Sequence, residues 1–424
     1  MKCKMEDKIY LCIDLKSFFA SVECAERGLD AMTTDLVVAD PERSDKTICL
    51  AVSPSMKKKG VKNRCRLFQI PDHMKYITAV PRMQLYIDYS ARIYEVYLKY
   101  VAKEDIYPYS IDECFMDITH YLSLYQMSPV ELGRTIMEDV YRTTKIPASC
   151  GIGTNLYLTK IALDITAKHA RDSIGFLDEE LYQKTLWRHR PLTDFWRIGP
   201  GIAKKLEEQG ILTMEDITKT KEDRLYHLFG VDAELLIDHA WGREPVTMQD
   251  IKNYKRKSTS ISSGQVLPRD YNYEEARLII KEMTDLLCLD LVEKDLITDS
   301  ISLMVGYSNS LGKKPSSSTV SLDSATNSIS KLMPAMMNLF EKIVLPDVPI
   351  RRMNISFGHL MDEAYLQYDL FSNPEELERE RRLQKAAIEI KKKFGKNAIL
   401  KGMNLEEGGT TRERNRQIGG HRSE

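Results

Sequence analysis

Short apolar runs alternate with amphipathic stretches through the first part of the chain. Lys8 to Asp14 (KIYLCID) is apolar, rich in β-forming residues and ends on a carboxylate, which predicts a buried strand. Ser17 to Glu26 predicts a helix with Ser17 as its N-cap. Further strands are predicted at 36–39, 47–52, 106–110, 114–118 and 148–153, and further helices at 84–101, 129–144 and 156–168. This alternation predicts a mixed α/β domain.

The pattern changes near residue 180. Residues 180–244 contain short helical stretches and glycine-punctuated turns, which predict a small all-helical domain, and the polar, basic segment 252–263 is typical of a linker. The elements predicted beyond it are strand 262–267, helix 273–289, strands 299–307 and 317–323, helix 329–343 and strand 350–359. This β-α-β-β-α-β order is a known split unit. From Glu375 we predict one charged amphipathic helix followed by a mobile Gly- and Arg-rich tail.

Composition narrows the class of protein. A chain of 424 residues with 43% hydrophobic residues can fill the cores of about two to four domains. The 61 Lys and Arg residues balance 62 Asp and Glu residues, so any site for a polyanion must be local. No apolar run approaches the ~18 residues of a membrane span. The eight cysteines form no C-x-x-C pair, which argues against zinc ribbons and a disulfide framework. We expect a soluble, cytoplasmic protein.

Three carboxylates lie at the ends of predicted strands. Asp14 ends the first strand, and Asp112 and Glu113 lie in the turn between two apolar strands. Acids are rarely buried without a cation or a hydrogen-bond partner. Their oxygens suit Mg²⁺, and two such ions can support phosphoryl transfer. For any one acid alone, a solvent-facing turn is an open alternative. Their shared placement favours a metal site without naming its reaction.

These motifs resemble a known family. Asp14–Glu23 (DLKSFFASVE) with Tyr109–Asp117 (YSIDECFMD) resembles the Y-family translesion DNA polymerases. Pro81–Arg92 (PRMQLYIDYSAR) and Pro191–Gly199 (PLTDFWRIG) resemble the UmuC-like branch of Gram-positive bacteria. The resemblance implies an α+β, multi-domain right-hand polymerase, with an α/β palm, small fingers, an all-helical thumb and a β-α-β-β-α-β little finger. We expect the palm at 1–17 and 78–178, fingers at 18–77, thumb at 179–248, linker at 249–258, little finger at 259–362 and a C-terminal tail at 363–424.

The resemblance also implies roles around the carboxylates. Asp14 and Asp112 match aspartates that bridge two Mg²⁺ ions, and Glu113 matches the glutamate that binds the catalytic metal beside the primer 3′-hydroxyl. The backbone carbonyl of Leu15 would be a further metal ligand. Phe19 matches a steric gate that excludes the 2′-OH of a ribonucleotide. The residues alone would make both Phe18 and Phe19 core residues.

Cations for an incoming triphosphate are expected from two segments. In the fingers, six occur within ten residues, at Lys57, Lys58, Lys59, Lys62, Arg64 and Arg66. The family places a basic residue at Lys57 against the triphosphate, although such a run is often only a solvated face. Many members carry a Tyr that contacts the triphosphate at the position where this chain has Pro54, so this chain departs from the family at that contact. Lys168 resembles a palm lysine that also meets the triphosphate, with local spacing one residue longer than in some branches. Lys160 is expected to be structural or on the DNA side.

Backbone N–H groups are expected to bind phosphate oxygens at two places. The N–H groups of Lys16, Ser17 and Phe18, at a helix start, are placed to hold phosphate oxygens. Ile198–Leu206 (IGPGIAKKL) has the form of a helix-hairpin-helix. There Gly199 and Gly201 allow a tight turn, so that N–H groups with Lys204 and Lys205 can approach a DNA phosphate. A dinucleotide fingerprint is the weaker alternative, since a third glycine and a preceding strand are lacking.

Three remaining signals concern binding surfaces and turns. Gly151-x-Gly153 predicts a strand-to-helix turn. In the little finger, cations placed on strands and acids on helices predict one basic sheet face. Gln367–Phe371 (QYDLF) resembles the peptide by which bacterial polymerases bind the sliding clamp, through Gln367, Leu370 and Phe371. Accidental hydrophobicity of the tail is the alternative.

The predicted function is that of a DNA-directed DNA polymerase of the low-fidelity, translesion type. It would add deoxynucleotides opposite damaged template with two Mg²⁺ ions, in DNA repair and SOS mutagenesis. The expected partners are primer–template DNA, deoxynucleoside triphosphates and the sliding clamp. We expect a monomer without membrane association, at the nucleoid when acting. Two alternatives are a non-catalytic adaptor that binds DNA and the clamp, and another palm-type phosphotransferase such as a cyclase. The adaptor would lose the acids, and the cyclase would not need the steric gate, hairpin or clamp peptide.

Overall fold

The computed structural model describes residues 8–42, 46–254, 259–367 and 373–424. These residues divide into two units. The first contains the described residues up to Tyr254 together with His421–Glu424, and the second contains those between Lys255 and Gly420. In the described part of the chain, we find no helix that is both long and apolar enough to cross a membrane.

The first unit begins with alternating strands and helices, as the sequence predicts. Its strands are β1 (Tyr10–Leu15), β2 (Leu36–Val38), β3 (Ala51–Val52), β4 (Ile77–Ala79), β5 (Ile106–Pro108), β6 (Glu113–Asp117), β7 (Ala148–Gly153) and β8 (Ile174–Leu177). Its helices are α1 (Phe18–Glu26), α2 (Pro54–Lys58), α3 (Met83–Tyr97), α4 (Tyr121–Tyr125), α5 (Pro129–Thr144), α6 (Leu156–Ile161), α7 (Ala167–His169), α8 (Glu179–Leu186), α9 (Pro200–Glu207), α10 (Met214–Lys219), α11 (Glu222–Phe229), α12 (Asp232–Trp241) and α13 (Met248–Asn253).

Strand β1 lies at the centre of a five-stranded sheet with the order β5-β6-β1-β7-β8. It runs antiparallel to both neighbours, and β8 runs parallel to β7. Leu11 and Ile13 belong to the main core with residues of α3 and α5, whereas Cys12 packs on the opposite face near Leu156 of α6. Because side chains alternate along a strand, the even-numbered positions of β1 face α6.

A three-stranded sheet with the order β3-β2-β4 carries its own small core, in which Val37, Val52 and Met56 are buried. The strand predicted over 47–52 is shorter, because only its last two residues are extended beside β2. The chain's last residues, with β15 (His421–Arg422), contact this part of the unit. Arg422 Nε donates to Asp40 Oδ2 over 2.9 Å, and the Gln84 N–H donates to the Ser423 carbonyl over 2.9 Å.

Between Glu179 and Asn253 the chain forms helices and turns without a strand, as predicted. The buried residues Tyr182, Phe195 and Leu206 pack with Tyr157 of α6. This helical layer therefore shares a core with the helix that follows β7.

The second unit has the predicted β-α-β-β-α-β order. Its elements are β9 (Ser260–Tyr271), α14 (Tyr273–Glu293), β10 (Leu296–Tyr307), β11 (Ser316–Thr326), α15 (Ile329–Ile343), β12 (Ile350–Gly358), β13 (Met361–Asp362), α16 (Pro374–Phe394), α17 (Thr411–Arg414) and β14 (Gln417–Ile418). The antiparallel sheet has the order β11-β10-β12-β9, with β13 beside β10. Residues of α14 and α15 form one core with the buried sheet positions.

The other face of this sheet is open and differs from the predicted basic surface. It presents Ser302, Thr319, Asn354 and Ser356, with Arg352 beside them on β12. Hydroxyl and amide groups therefore dominate this face. The reason is the strand composition, since β9 and β11 place serines at their outward positions.

The C-terminal extension is packed, which corrects the expectation of a mobile tail. Helix α16 contacts α14, and the buried carboxylate of Glu282 on α14 binds the segment that follows. Its oxygens accept from Asn404 Nδ2 at 3.0 Å and from the N–H groups of Thr410 and Thr411 at 2.8 and 3.2 Å. Because an unpaired buried carboxylate would be costly, these donors tie the extension to the second unit.

Candidate active site

The three predicted carboxylates meet where the neighbouring strands β1 and β6 end, which we call the acidic sheet edge. Asp14 on β1 is the register partner of Glu113 on β6, so both side chains lie on the same face. Asp112 directly precedes β6, and its carbonyl accepts the Leu15 N–H over 2.9 Å. The Asp112 carboxylate accepts from Ser110 Oγ at 2.6 Å. The sequence prediction that these acids end neighbouring strands is thus realised in the fold.

Asp14 is electrostatically unsatisfied. Burial, and then the negative charges of Asp112 and Glu113, raise the pKa of Asp14 to about 7, while Lys160 works in the opposite direction. A carboxylate in this state gains free energy from any additional positive charge placed beside it. The sheet edge therefore favours a cation.

Glu113 is held by two donors that sequence analysis did not identify. Lys160 Nζ on α6 lies 2.8 Å from Glu113 Oε1, and Cys12 Sγ donates to the same oxygen at 3.3 Å. Lys160 also pairs with Asp164 at 3.1 Å. Burial works to lower the pKa of Lys160, but the charges of Glu113 and Asp164 outweigh burial and raise it. The lysine is therefore cationic, buried and paired with acids, as the structural interpretation of Lys160 predicts.

The residues fit a hard divalent cation by their chemistry. Carboxylate oxygens of Asp14, Asp112 and Glu113, with a backbone carbonyl at Leu15, are the donor types that Mg²⁺ prefers. Burial first, and then the charges of Asp112 and Glu113, raise the pKa of Asp14, and a cation placed beside these oxygens would offset both causes. Among the described residues, no group of three or more acid, histidine or cysteine side chains is arranged so as to hold a metal ion. A cation at this site would therefore also need oxygens from the backbone and from a bound substrate.

The structure distinguishes the two adjacent phenylalanines. Phe18 is only 2% exposed and belongs to the main core, whereas Phe19 is half-buried and lies at the border of that core. The Phe19 ring lies 4.7 Å from the ring of Tyr86, measured between centroids. Phe19 is therefore a ring that Tyr86 supports and that remains partly accessible.

The start of α1 departs from the predicted cap. Ser17 occupies the N-cap position with a left-handed backbone (φ +49°), and its side chain makes no capping hydrogen bond. The Lys16 N–H donates to the Pro147 carbonyl at 2.8 Å, so it is not available for a phosphate. Of the three predicted backbone donors, Ser17 and Phe18 remain candidates. The Lys16 ammonium lies 2.5 Å from Ser173 Oγ.

One of the predicted triphosphate cations, Lys57, approaches the acids and also Lys168. Surrounding atoms partly desolvate the ammonium of Lys57 on α2 and lower its pKa, although the side chain as a whole stays solvent-accessible; the charges of Asp14 and Asp112 oppose this shift, and Lys168 adds to it. Lys57 is thus within electrostatic reach of both acids and of Lys168. Helix α2 starts at Pro54, with Ser53 accepting the Met56 N–H as its cap.

The helix after β7 contains a π-helical turn, Ala162–Thr166, between Lys160 and Lys168. A π turn accommodates one more residue than an α-helical turn does, and this gives a physical account of the longer spacing noted in the sequence. The turn lets both lysines stay on one continuous helical segment.

Gly151 and Gly153 do not form the predicted strand-to-helix turn, because both lie within β7. A Cβ at Gly151 would collide with the Thr159 carbonyl, and one at Gly153 would collide with the Thr159 N–H. These glycines therefore let α6 pack directly against the sheet. Sequence analysis missed this role, although two glycines on one face of a strand are a signal for close backbone approach.

The predicted hairpin occupies an exposed turn before α9. Gly199 is the N-cap, and a Cβ at Gly199 or Gly201 would meet no heavy atom within 4 Å. Packing therefore does not require glycine here, and the turn is open to another backbone. Lys204 is exposed, 3.9 Å from Glu208, and Lys205 Nζ lies 5.8 Å from the centre of the Phe229 ring. Both lysines are surface cations.

The predicted clamp peptide falls largely outside the described residues. Gln367 is described and exposed, whereas Leu370 and Phe371 lie outside them.

Comparison with known proteins gives a consistent match. A model of the impB/mucB/samB family matches residues 13–164, and a model of the impB/mucB/samB family C-terminal domain matches residues 258–370. The chain is 29% identical over 419 residues to the putative UV-damage repair protein UvrX of Bacillus subtilis (strain 168), with 98% of both chains covered. It is 29% identical over 417 residues to DNA polymerase IV 2 of Halalkalibacterium halodurans, covering 98% of this chain and 99% of that one.

Two solved structures share the fold. The Y-family DNA polymerase chimera Dbh-Dpo4(243-245)-Dbh has a TM-score of 0.61 at 20% identity, over 84% of this chain and 99% of its own. The insertion ternary complex of Dbh DNA polymerase has a TM-score of 0.50 at 21% identity, with the same coverage. The predicted α+β, multi-domain fold class is confirmed.

Proposed function

The chain belongs to the impB/mucB/samB family of UmuC-like Y-family DNA polymerases and is a DNA-directed DNA polymerase of the translesion type, and we propose that its acidic sheet edge is the site of nucleotide addition. The observation that carries this proposal is the convergence of Asp14, Asp112 and Glu113 with an excess of negative charge. In the reaction, the primer 3′-hydroxyl attacks the α-phosphate of a deoxynucleoside triphosphate and pyrophosphate leaves.

Asp14, Asp112 and Glu113, with the Leu15 carbonyl, would hold two Mg²⁺ ions. When bound, these ions supply the positive charge that neutralises the triphosphate and favours ionisation of the primer hydroxyl. The protein contributes a rigid frame, because the acids are fixed by the β1–β6 register. Lys57 and Lys168 bind the triphosphate, aided by the N–H groups of Ser17 and Phe18.

Phe19 selects the sugar. Its ring is supported by Tyr86, so it cannot withdraw from a bulkier nucleotide without disturbing the packing beneath it. A 2′-hydroxyl would collide with such a ring. We therefore assign Phe19 as the steric gate of the site.

Primer–template DNA is bound through its phosphates. The open turn at Gly199 and Gly201, with Lys204 and Lys205 beside it, offers N–H groups and cations that do not read sequence. The open hydroxyl-rich sheet face of the second unit offers further donors. In domain terms, we assign residues 1–17 and 78–178 to the palm, 18–77 to the fingers, 179–248 to the thumb and 259–362 to the little finger.

The cellular role follows from this chemistry. A monomer in the cytoplasm, acting at the nucleoid after DNA damage and under SOS control, would extend primers past damaged bases. A non-catalytic adaptor is disfavoured, because all three acids are present and are brought to one sheet edge.

Primer extension with Mg²⁺ or EDTA tests the assignment. The full-length protein extends a primer only with the divalent ion, and Asp112→Ala or Glu113→Ala lowers incorporation by at least about 10³-fold while primer–template affinity stays within about threefold. Asp117→Asn is the matched control, since Asp117 lies at the other end of β6 and pairs with Lys8. Near-normal incorporation by either alanine variant would refute the site.

We propose that Gln367, Leu370 and Phe371 bind the sliding clamp. Two apolar anchors typically account for about 2–4 kcal/mol of such an interface. Leu370→Ala/Phe371→Ala should extend a primer normally alone but gain nothing when clamp and loader are added, because tethering raises the local concentration of enzyme at the primer end. Equal stimulation of variant and wild type would contradict this.

A further inference from the structure

We propose that Lys160 is a positioning residue, which fixes one oxygen of Glu113 so that the other faces the catalytic metal. This inference rests on the proposed function of the acidic site. It assigns a role to a buried lysine whose observed partners are two acids, Glu113 and Asp164.

The contacts converge on a single atom. Lys160 Nζ and Cys12 Sγ both reach Glu113 Oε1, at 2.8 and 3.3 Å. Glu113 Oε2 is thereby left for a cation, and rotation of the carboxylate would break both contacts. The side chains of Lys160 and Glu113 are 9% and 10% exposed, so water competes little for this pairing.

The helix that carries Lys160 is itself fixed. Gly151 and Gly153 let α6 pack directly against β7, and Asn155 caps the helix by accepting the Leu158 N–H at 2.8 Å. Asp164 is a second acid paired with the Lys160 ammonium, at 3.1 Å. The lysine therefore has little freedom to follow a departing ligand.

Burial separates Lys160 from the other cations of the site. Lys57 and Lys168 are exposed, as ligands of a substrate that comes and goes should be. Lys160 is 7% exposed and paired with acids on two sides. A buried ion pair adds little net stability compared with a well-packed apolar pair, which favours a geometric role. Outer partners of metal ligands commonly matter in this way, and their loss typically costs about 10- to 100-fold in metal affinity or activity.

Two possible roles of Lys160, neutralising the acids or orienting Glu113, predict opposite changes in metal affinity when the lysine is removed. If Lys160 only offset the negative charge of the acids, its removal would strengthen their attraction for a cation. If Lys160 orients Glu113, its removal weakens metal binding despite the added negative charge. The sign of the change in metal affinity therefore distinguishes the two roles.

The test uses full-length Lys160→Gln and Lys160→Arg. Free Mn²⁺ is measured by electron paramagnetic resonance during titration of enzyme with a dideoxy-terminated primer–template and a deoxynucleotide. We expect Lys160→Gln to bind Mn²⁺ about 10-fold or more weakly and to lose about 10- to 100-fold in kcat, with the KM for deoxynucleotide within about threefold of wild type. Lys160→Arg keeps the charge and should recover most of the affinity. Lys168→Gln is the matched control and should raise KM instead.

Three outcomes decide the matter. If Lys160→Gln binds Mn²⁺ as tightly as the wild type or more tightly, and its kcat is that of the wild type, the inference is wrong. The proposed function still stands in that case, because the wild-type enzyme is active. Loss of extension by wild type itself would instead refute the proposed function. If Lys160→Gln melts at a clearly lower temperature, Cys12→Ala takes its place. Because it removes the weaker donor to the same oxygen, it should weaken Mn²⁺ binding about two- to fivefold, and no change would count against the inference.

Discussion

Two carboxylates, one just before helix α1 and one within it, are in opposite electrostatic states. Glu23, within the helix, is fully buried, and its oxygens accept from Arg82 Nη2 and Tyr86 OH at 2.8 Å and from Arg27. Burial alone would raise the pKa of Glu23, but these hydrogen bonds outweigh it and lower the pKa. Asp14, just before the helix, has its pKa raised to about 7 by burial and by neighbouring acids.

The difference separates a stabilising charge from a functional one. A carboxylate with its hydrogen bonds satisfied supports the folded state, as Glu23 does by joining α1 to α3. A carboxylate among like charges destabilises the empty fold and is retained where a ligand will compensate it. The segment from the end of β1 through α1 thus has a functional end at Asp14 and a structural end at Glu23, and variants along it should separate activity from stability.

The largest change in stability is expected at Phe18, whereas a variant of its neighbour Phe19 should change the selection of the sugar. Phe19→Ala should relax sugar discrimination by about 10²-fold or more, because the collision with a 2′-hydroxyl disappears with the ring. Phe18→Ala should leave discrimination per folded molecule unchanged but lower the free energy of unfolding by about 3–5 kcal/mol, because it opens a cavity in the main core. Single-turnover incorporation of ribo- and deoxynucleotides, with denaturant unfolding, measures both. Unchanged discrimination in Phe19→Ala would return Phe19 to a packing role.

The phenylalanines also show what the sequence can predict. Strand and helix order, the convergence of Asp14 with Asp112 and Glu113, and the β-α-β-β-α-β unit follow from local patterns of apolar and turn residues. Which of Phe18 and Phe19 is buried depends on the turn before α1, where Ser17 has a left-handed backbone instead of a capping conformation. Local pattern does not determine that geometry.

Long-range packing accounts for the other differences. The pairing of Lys160 with Glu113 joins residues 47 apart along the chain, and it depends on how closely two glycines let a helix approach β7. The packed C-terminal extension depends on Glu282, which a helical pattern marks only as one more charged residue. Such contacts depend on tertiary structure, whereas the periodicity of a segment reports its own conformation.

An intermediate effect is expected at the structural end of α1. Glu23→Gln should lower the free energy of unfolding by about 2–3 kcal/mol, because it leaves Arg82 and Arg27 without their buried anionic partner. Thermal and denaturant unfolding measure the change, and kcat of the remaining folded enzyme should stay within about threefold of wild type. Arg27→Gln is a milder control, since it removes only one of the donors. A loss of kcat without a loss of stability would place Glu23 in the functional class.

The smallest change in the free energy of unfolding is expected at Asp14, and it has the opposite sign. The pKa of Asp14 in the folded state, about 7, lies above its ordinary value of 3.8, so folding favours the protonated form. The resulting penalty is absent below about pH 4, grows as the pH rises through about 7 and is then constant. The pKa difference sets a ceiling of roughly 4 kcal/mol on this penalty, and Asp14 keeps some contact with solvent, which screens it. Asp14→Asn should therefore raise the stability of the metal-free protein by about 1 kcal/mol at pH 8 and by nothing near pH 4, while abolishing nucleotide incorporation.

Asp117→Asn provides the matched control for this sign. Burial works to raise the pKa of Asp117, but hydrogen bonds from Lys8 and Thr119 outweigh it and lower the pKa, so this carboxylate stabilises the fold above its ordinary pKa. Its replacement should lower stability at pH 8, where Asp14→Asn raises it. Melting curves in EDTA at pH 4 and pH 8 compare the two variants. If Asp14→Asn is as destabilising as Asp117→Asn at pH 8, Asp14 is a structural acid with its charge compensated. The contrast between Asp14 and Glu23 is then wrong.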